Sequence, residues 1–104
     1  MTLTSSEMKQ LEQQSASLGS KHKSYLAEAS NAIKLADNPR AGLHLLAALR
    51  STARPNQKDA ISDVRRWIDN RLRDEPGIST ARLLLELGWL RRLCVVRDPG
   101  TLRR

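Results

Sequence analysis

Arg50, Arg54, Lys58, Arg65, Arg66 and Arg73 follow one another at steps of one, four or seven residues. Steps of four and seven return to the same side of a helix. Guanidinium groups gathered in this way can hold phosphates. Arg is weakly hydrated and presents a planar fork of donors that matches a phosphate in two places. A row of such groups would displace the counterions of a nucleic-acid backbone, and binding would weaken as salt rises. Arg91 and Arg92, followed by Arg97, Arg103 and Arg104, make a second cationic cluster. Several of these cations have carboxylates one turn away. Arg65 can pair with Asp69, Asp69 with Arg73, and Arg71 with Glu75, which leaves Arg50, Arg54, Lys58 and Arg66 comparatively free.

The charge is unevenly placed. The chain of 104 residues has 18 Lys and Arg against 11 Asp and Glu, a net +7. Nearly all of the excess lies from Arg50 onward, and it is almost wholly arginine. A localised basic surface concentrates polyanions and speeds encounter with them.

The elements that must position these cations read as helices. Leu, Ala, Arg, Gln and Glu are abundant, Phe is absent and β-branched residues are sparse. All five abundant types favour helix. The expected fold is all-α, a bundle of four to five helices made of two stacked hairpins plus an N-terminal arm.

Residues 1–19 form that arm, read as a helix that docks a partner or as a frayed end. Thr4 and Glu7 have capping-box spacing, and Met8, Leu11 and Leu18 make a thin apolar stripe. Residues 20–97 form the helical domain, and 98–104 a basic tail. The second helix spans about 20–36, with Tyr25, Leu26, Ala29, Ala32, Ile33 and Ala36 inward; its alanines permit a close neighbour. The third begins at Pro39, capped by Asn38, and runs to about 52. Leu43, Leu45, Leu46, Ala47 and Leu49 cover most of its girth, which predicts a central position. The fourth spans about 57–74, with Ala60, Ile61, Val64, Trp67, Ile68 and Leu72 inside. Its outer face carries Lys58, Ser62, Arg65, Arg66, Asp69 and Arg73.

The fifth, capped by Ser79 and Thr80, is read as one helix to about 96. The alternative stops it at Gly88 and puts a short β-hairpin at the C-terminus, with a first strand over 92–97. The cations would then lie as on the wing of a winged-helix domain, although one helix too few precedes it. An echo, L-x-D-x-P at Leu35–Pro39 and again at Leu72–Pro76, fits either a repeat or two ordinary helix junctions.

Enzyme chemistry is not expected. His22 and His44 lack carboxylate or cysteine neighbours at ligand spacing, and His44 is expected to be packed or at a rim. Cys94 is the single cysteine and lies in an apolar stretch, where a thiol is usually inert. No glycine-rich phosphate loop, G-x-S-x-G or H-E-x-x-H occurs. Cofactors, metals and small-molecule substrates are therefore not expected. Neither is a secretory leader or a membrane span, which points to the cytoplasm.

Two functions follow as expectations. One is a small, non-enzymatic nucleic-acid-binding protein, regulatory in character, meeting DNA or RNA through Arg50, Arg54, Lys58, Arg65, Arg66, Arg73, Arg91 and Arg92. Stacking on bases is not expected, because Trp67 and Trp89 fall on apolar faces. The other is an adaptor, chaperone or small subunit. Its leucine-rich fifth helix would offer Trp89, Leu90 and Leu93 as an interface, with a homodimer the simplest outlet.

Overall fold

The computed structural model of the protein describes residues 2–14, 16 and 18–96. Its five α-helices are α1 (Ser5–Gln14), α2 (Lys23–Ala36), α3 (Ala41–Thr52), α4 (Pro55–Asp74) and α5 (Thr80–Val96). A single 3₁₀ turn, Ser20–His22, leads into α2. The all-α bundle holds, and no strand occurs among the described residues. The first strand of the alternative hairpin would begin within α5, which stays helical through Val96. The basic tail at 98–104 lies outside the described residues.

Helix starts are set by local chemistry. The Thr4–Glu7 capping box forms as expected. The Thr4 amide donates to Glu7 Oε1 at 3.0 Å, and the Glu7 amide to Thr4 Oγ1 at 3.2 Å. α4 starts earlier than its apolar pattern suggested. Pro55 takes the first helical position, and Gln57 Oε1 accepts the Arg54 amide at 3.2 Å. α3 starts later than expected. Asn38 does cap, but it caps a turn: its Oδ1 accepts the Arg40 amide at 2.9 Å, so the helix begins at Ala41. Asp37 ends α2 in the left-handed region at φ 50°, a conformation Asp tolerates better than most residues. At the second L-x-D-x-P site, Asp74 is still helical and Glu75 ends the element at φ −135°. The two junctions therefore differ in backbone.

The helix at the centre is α2, not α3. α2 packs against both α3 and α5, and α4 packs against α3 while also touching α2 and the 3₁₀ turn. Leu26, Ala29 and Ile33 of α2 are fully buried, whereas Gly42 and Leu46 are the buried positions of α3. Leucine content misled here: Leu43, Leu45 and Leu49 are only half-buried, and His44 is exposed rather than packed. Small residues decided the matter. A Cβ at Gly42 would sit 3.0 Å from Ile33 Cδ1 and 3.5 Å from the Ala29 Cβ, so a side chain there would require Ile33 to shift by a few tenths of an ångström.

The N-terminal arm takes the helical form. Leu11 and Leu18 are buried, and α1 lies on α5. The second hairpin is splayed, since α5 returns mainly along α2. It meets α4 through a buried ionic contact. Glu86 is 1% exposed and accepts from Arg71 Nε at 2.6 Å, Arg71 Nη2 at 2.8 Å and Arg82 Nε at 2.9 Å. Arg82 also bonds Glu7, which ties α1 to the same cluster. No described helix is long and apolar enough to cross a membrane.

Candidate nucleic-acid interface

α4 builds the cationic face. Its inner side is as the pattern required: Ala60, Ile61, Val64, Trp67 and Ile68 are buried. Burying that side turns Arg65, Arg66 and Arg73 to solvent, with Lys58 half-buried. α3 lies alongside α4 and supplies Arg50. Arg50 Nε donates to Ser62 Oγ at 2.8 Å, which pins the guanidinium across the α3–α4 seam. A groove of about 280 Å³ follows this seam, lined by Leu43, Ser62, Arg65, Arg66 and Asp69.

The ion pairing differs in part from the expectation. Asp69 pairs with Arg73 at 2.8 Å and Arg71 with Glu75 at 3.4 Å, as spacing suggested. Arg65 does not take Asp69; among the described residues no carboxylate lies within 4.0 Å of it. The same holds for Arg54 and Lys58. Arg66 has a loose contact with Asp63 at 3.8 Å, and its side chain remains 71% exposed. Arg54 and Lys58 stand at the N-terminal end of α4, whose first turn carries no carboxylate. The positive end of the helix dipole therefore adds to the field of the side chains.

Asp63 is held by a residue that spacing did not reveal. His22 is fully buried, and its Nε2 lies 3.0 Å from Asp63 Oδ2. The Gly19 amide donates to its Nδ1 at 2.9 Å, and the Gly19 carbonyl lies 3.3 Å from the same atom; in the tautomer with Nδ1 accepting, Nε2 donates to Asp63. The carboxylate closest to Arg66 is in this way shared with the interior.

The remaining expected residues divide. Arg91 and Arg92 are exposed on α5, and Arg92 lines a different groove, between the N-terminal arm and α5. They do not join the α3–α4 face. Of the expected interface residues, Trp89 and Leu93 are half-buried against the core. Leu90 must be corrected: it is 0% exposed and belongs to the core. It falls on the same side of α5 as Leu83, Leu87 and Cys94, all buried against the bundle. Trp67 is a core residue at 6% exposure.

Arg71 and Arg82 were not singled out as partners of Glu86. The sequence spacing of Arg82 and Glu86 is one helical turn, a usable signal, but the Arg71–Glu86 contact depends on how α4 meets α5. The cluster shifts titration. The Thr4 amide, followed by Arg82, holds the Glu7 carboxyl well down, at about 2. Hydrogen bonding to Glu86 pushes Arg71 and Arg82 up from their ordinary value.

No family model, no curated protein and no solved structure matches the chain.

Proposed function

We propose that the protein binds nucleic acid through the α3–α4 face, reading the phosphate backbone rather than base edges. One observation carries the reading: Arg54, Lys58 and Arg65 stand on one face with no carboxylate within 4.0 Å among the described residues. Arg65, with Arg66, lines the groove along the α3–α4 seam. Unmatched guanidinium groups are what a phosphate can use, since no internal partner has to be displaced first. No Asn or Gln lines the groove, so the side chains suited to adenine edges are missing from it. Arg50, fixed by Ser62, keeps its terminal nitrogens for an acceptor outside the protein.

Gel retardation of a labelled duplex between about 50 and 200 mM salt tests this. If Arg54, Lys58, Arg65 and Arg66 each meet a phosphate, log K falls against log salt with a slope of about −3 to −4. A chain that retards neither duplex DNA nor duplex RNA at about 50 mM salt does not have this function, because even non-specific binders are visible there.

A further inference from the structure

The outer side of α5 has a different chemistry from the α3–α4 face. Leu83, Leu87 and Leu90 turn inward and are fully buried. Leu84, Leu85, Gly88 and Trp89 turn the other way and form one wall and the floor of a groove of about 360 Å³. Leu3 and Met8, from the start of the chain and α1, form the opposite wall. The lining is mostly apolar and, among the described residues, contains no carboxylate. Arg92 stands at its rim with Arg91 beside it in sequence. Both are exposed, and no carboxylate among the described residues lies within 4.0 Å of either.

Gly88 matters to this groove. A glycine within a helix costs about 1 kcal/mol against alanine. Internal packing does not require it, for a Cβ built at Gly88 meets nothing within 4 Å. Its effect is to leave the floor low, so that another backbone can approach α5 closely.

We propose that this groove docks an amphipathic helix from a partner protein, with carboxylates flanking its apolar stripe. Apolar side chains at i, i+3/i+4 and i+7 would enter between Leu3, Met8, Leu84, Leu85 and Trp89, the usual way a helix occupies a groove. The carboxylates would meet Arg91 and Arg92. Charge decides against a second copy as the occupant. A copy brings its own Arg91 and Arg92 and a net charge of +7 to the contact, and its matching face has no acidic residue to answer them. The groove takes a single helix, so the complex is a small interface of the transient kind. This site is independent of the phosphate-binding face.

The probe is a set of fluorescein-labelled peptides of about 18 residues, roughly 27 Å of helix, titrated with the full chain and followed by anisotropy. One peptide carries a leucine stripe flanked by Glu. A second carries the same stripe flanked by Lys, and a third is a scrambled Glu peptide. The Glu peptide binds saturably, and the Lys peptide binds at least about tenfold more weakly, as like charges facing each other require. Gly88→Gln fills the floor, and its Cβ meets nothing within 4 Å. It keeps or raises the melting temperature and weakens the Glu peptide by about tenfold or more. Arg91→Glu with Arg92→Glu reverses the preference toward the Lys peptide. Arg65→Ala with Arg66→Ala leaves peptide binding unchanged, which separates this site from the nucleic-acid reading. The proposal is overturned if the Glu and Lys peptides bind equally, or if neither binds up to about 1 mM, weaker than transient interfaces usually are. Binding that Gly88→Gln does not diminish also overturns it. So does sedimentation showing a dimer that Gly88→Gln dissolves, since a second copy would then own the groove.

Discussion

Arg71 and Arg73 stand on the same helix, but they sit in different electrostatic worlds. The Arg71 side chain is 13% exposed and forks onto Glu86, which is itself buried. The Arg73 side chain is 71% exposed and holds Asp69 across one turn in open solvent. The contrast extends to the regions around them. Where α1, α4 and α5 meet, Glu7, Arg71, Arg82 and Glu86 are matched cation to anion. Along the α3–α4 face, Arg54, Lys58 and Arg65 are not matched. Burial explains the difference. A charge removed from water needs a partner with good geometry, whereas a charge left in water needs none. The first region is therefore committed to holding the fold, and the second is left available to a ligand.

The largest expected effect comes from breaking the matched region. Glu86→Gln leaves two guanidinium groups facing a neutral amide. Glu7 and Glu75 still answer part of the charge, so the loss is about 3 kcal/mol, at the low end for a broken buried pair. Chemical denaturation measures it. Replacing Glu86, Arg71 and Arg82 together by apolar residues of similar size should recover most of that stability. A triple variant no more stable than Glu86→Gln would show that the cluster holds the fold by more than charge.

Next comes the unmatched face. Arg65→Ala with Arg66→Ala should weaken duplex binding by roughly tenfold at about 100 mM salt and reduce the salt slope by about 2. Stability should change by less than about 0.5 kcal/mol, as for surface sites without a defined structural role. Equal binding by the double variant would remove the distinction between the two regions.

A smaller effect is the response of α1 to acid. The Glu7 carboxyl is held at about 2 in the folded chain, against an ordinary value of 4.5. A carboxylate held low stabilises the folded form above its unfolded value, and that contribution is lost as pH falls toward the folded one. The contact of α1 with Arg82 should therefore weaken progressively from about pH 4.5 to about pH 2. Amide exchange in Ser5–Gln14, compared between wild type and Glu7→Gln, reads this directly. The variant should show reduced protection already at neutral pH, and little further loss in that window.

The smallest effect is expected at Asp69→Asn. It removes an exposed pair one turn apart and should cost no more than about 0.5 kcal/mol. It also deletes the carboxylate that lines the groove, so nucleic-acid binding should tighten slightly in the same retardation assay.

Much of this was legible residue by residue. The inner and outer sides of α4 follow from its apolar spacing, and the pairs Asp69–Arg73 and Arg71–Glu75 follow from one-turn spacing. The Thr4–Glu7 box could be read directly. Other features could not be. His22 and Asp63 lie 41 positions apart in sequence, and Arg82 and Glu7 lie 75 apart. No local pattern brings such residues together. Leu90 was misplaced among interface residues because a helix apolar on most sides gives no clear phase for its buried face. α3 was misplaced at the centre because leucine count does not measure how closely two helices can approach.

What the chain alone determined is therefore short-range: helix content, approximate ends, and which side of α4 turns from water. These depend on propensities, caps and contacts within a turn, all set by neighbours in sequence. Tertiary structure decided which helix is central, which arginines are consumed by buried carboxylates, and which stay exposed without a carboxylate partner among the described residues. Those outcomes depend on the rotation and closeness of packed helices. In this protein they turn on contacts such as Gly42 against Ile33, where a single methyl group would press on the Ile33 side chain.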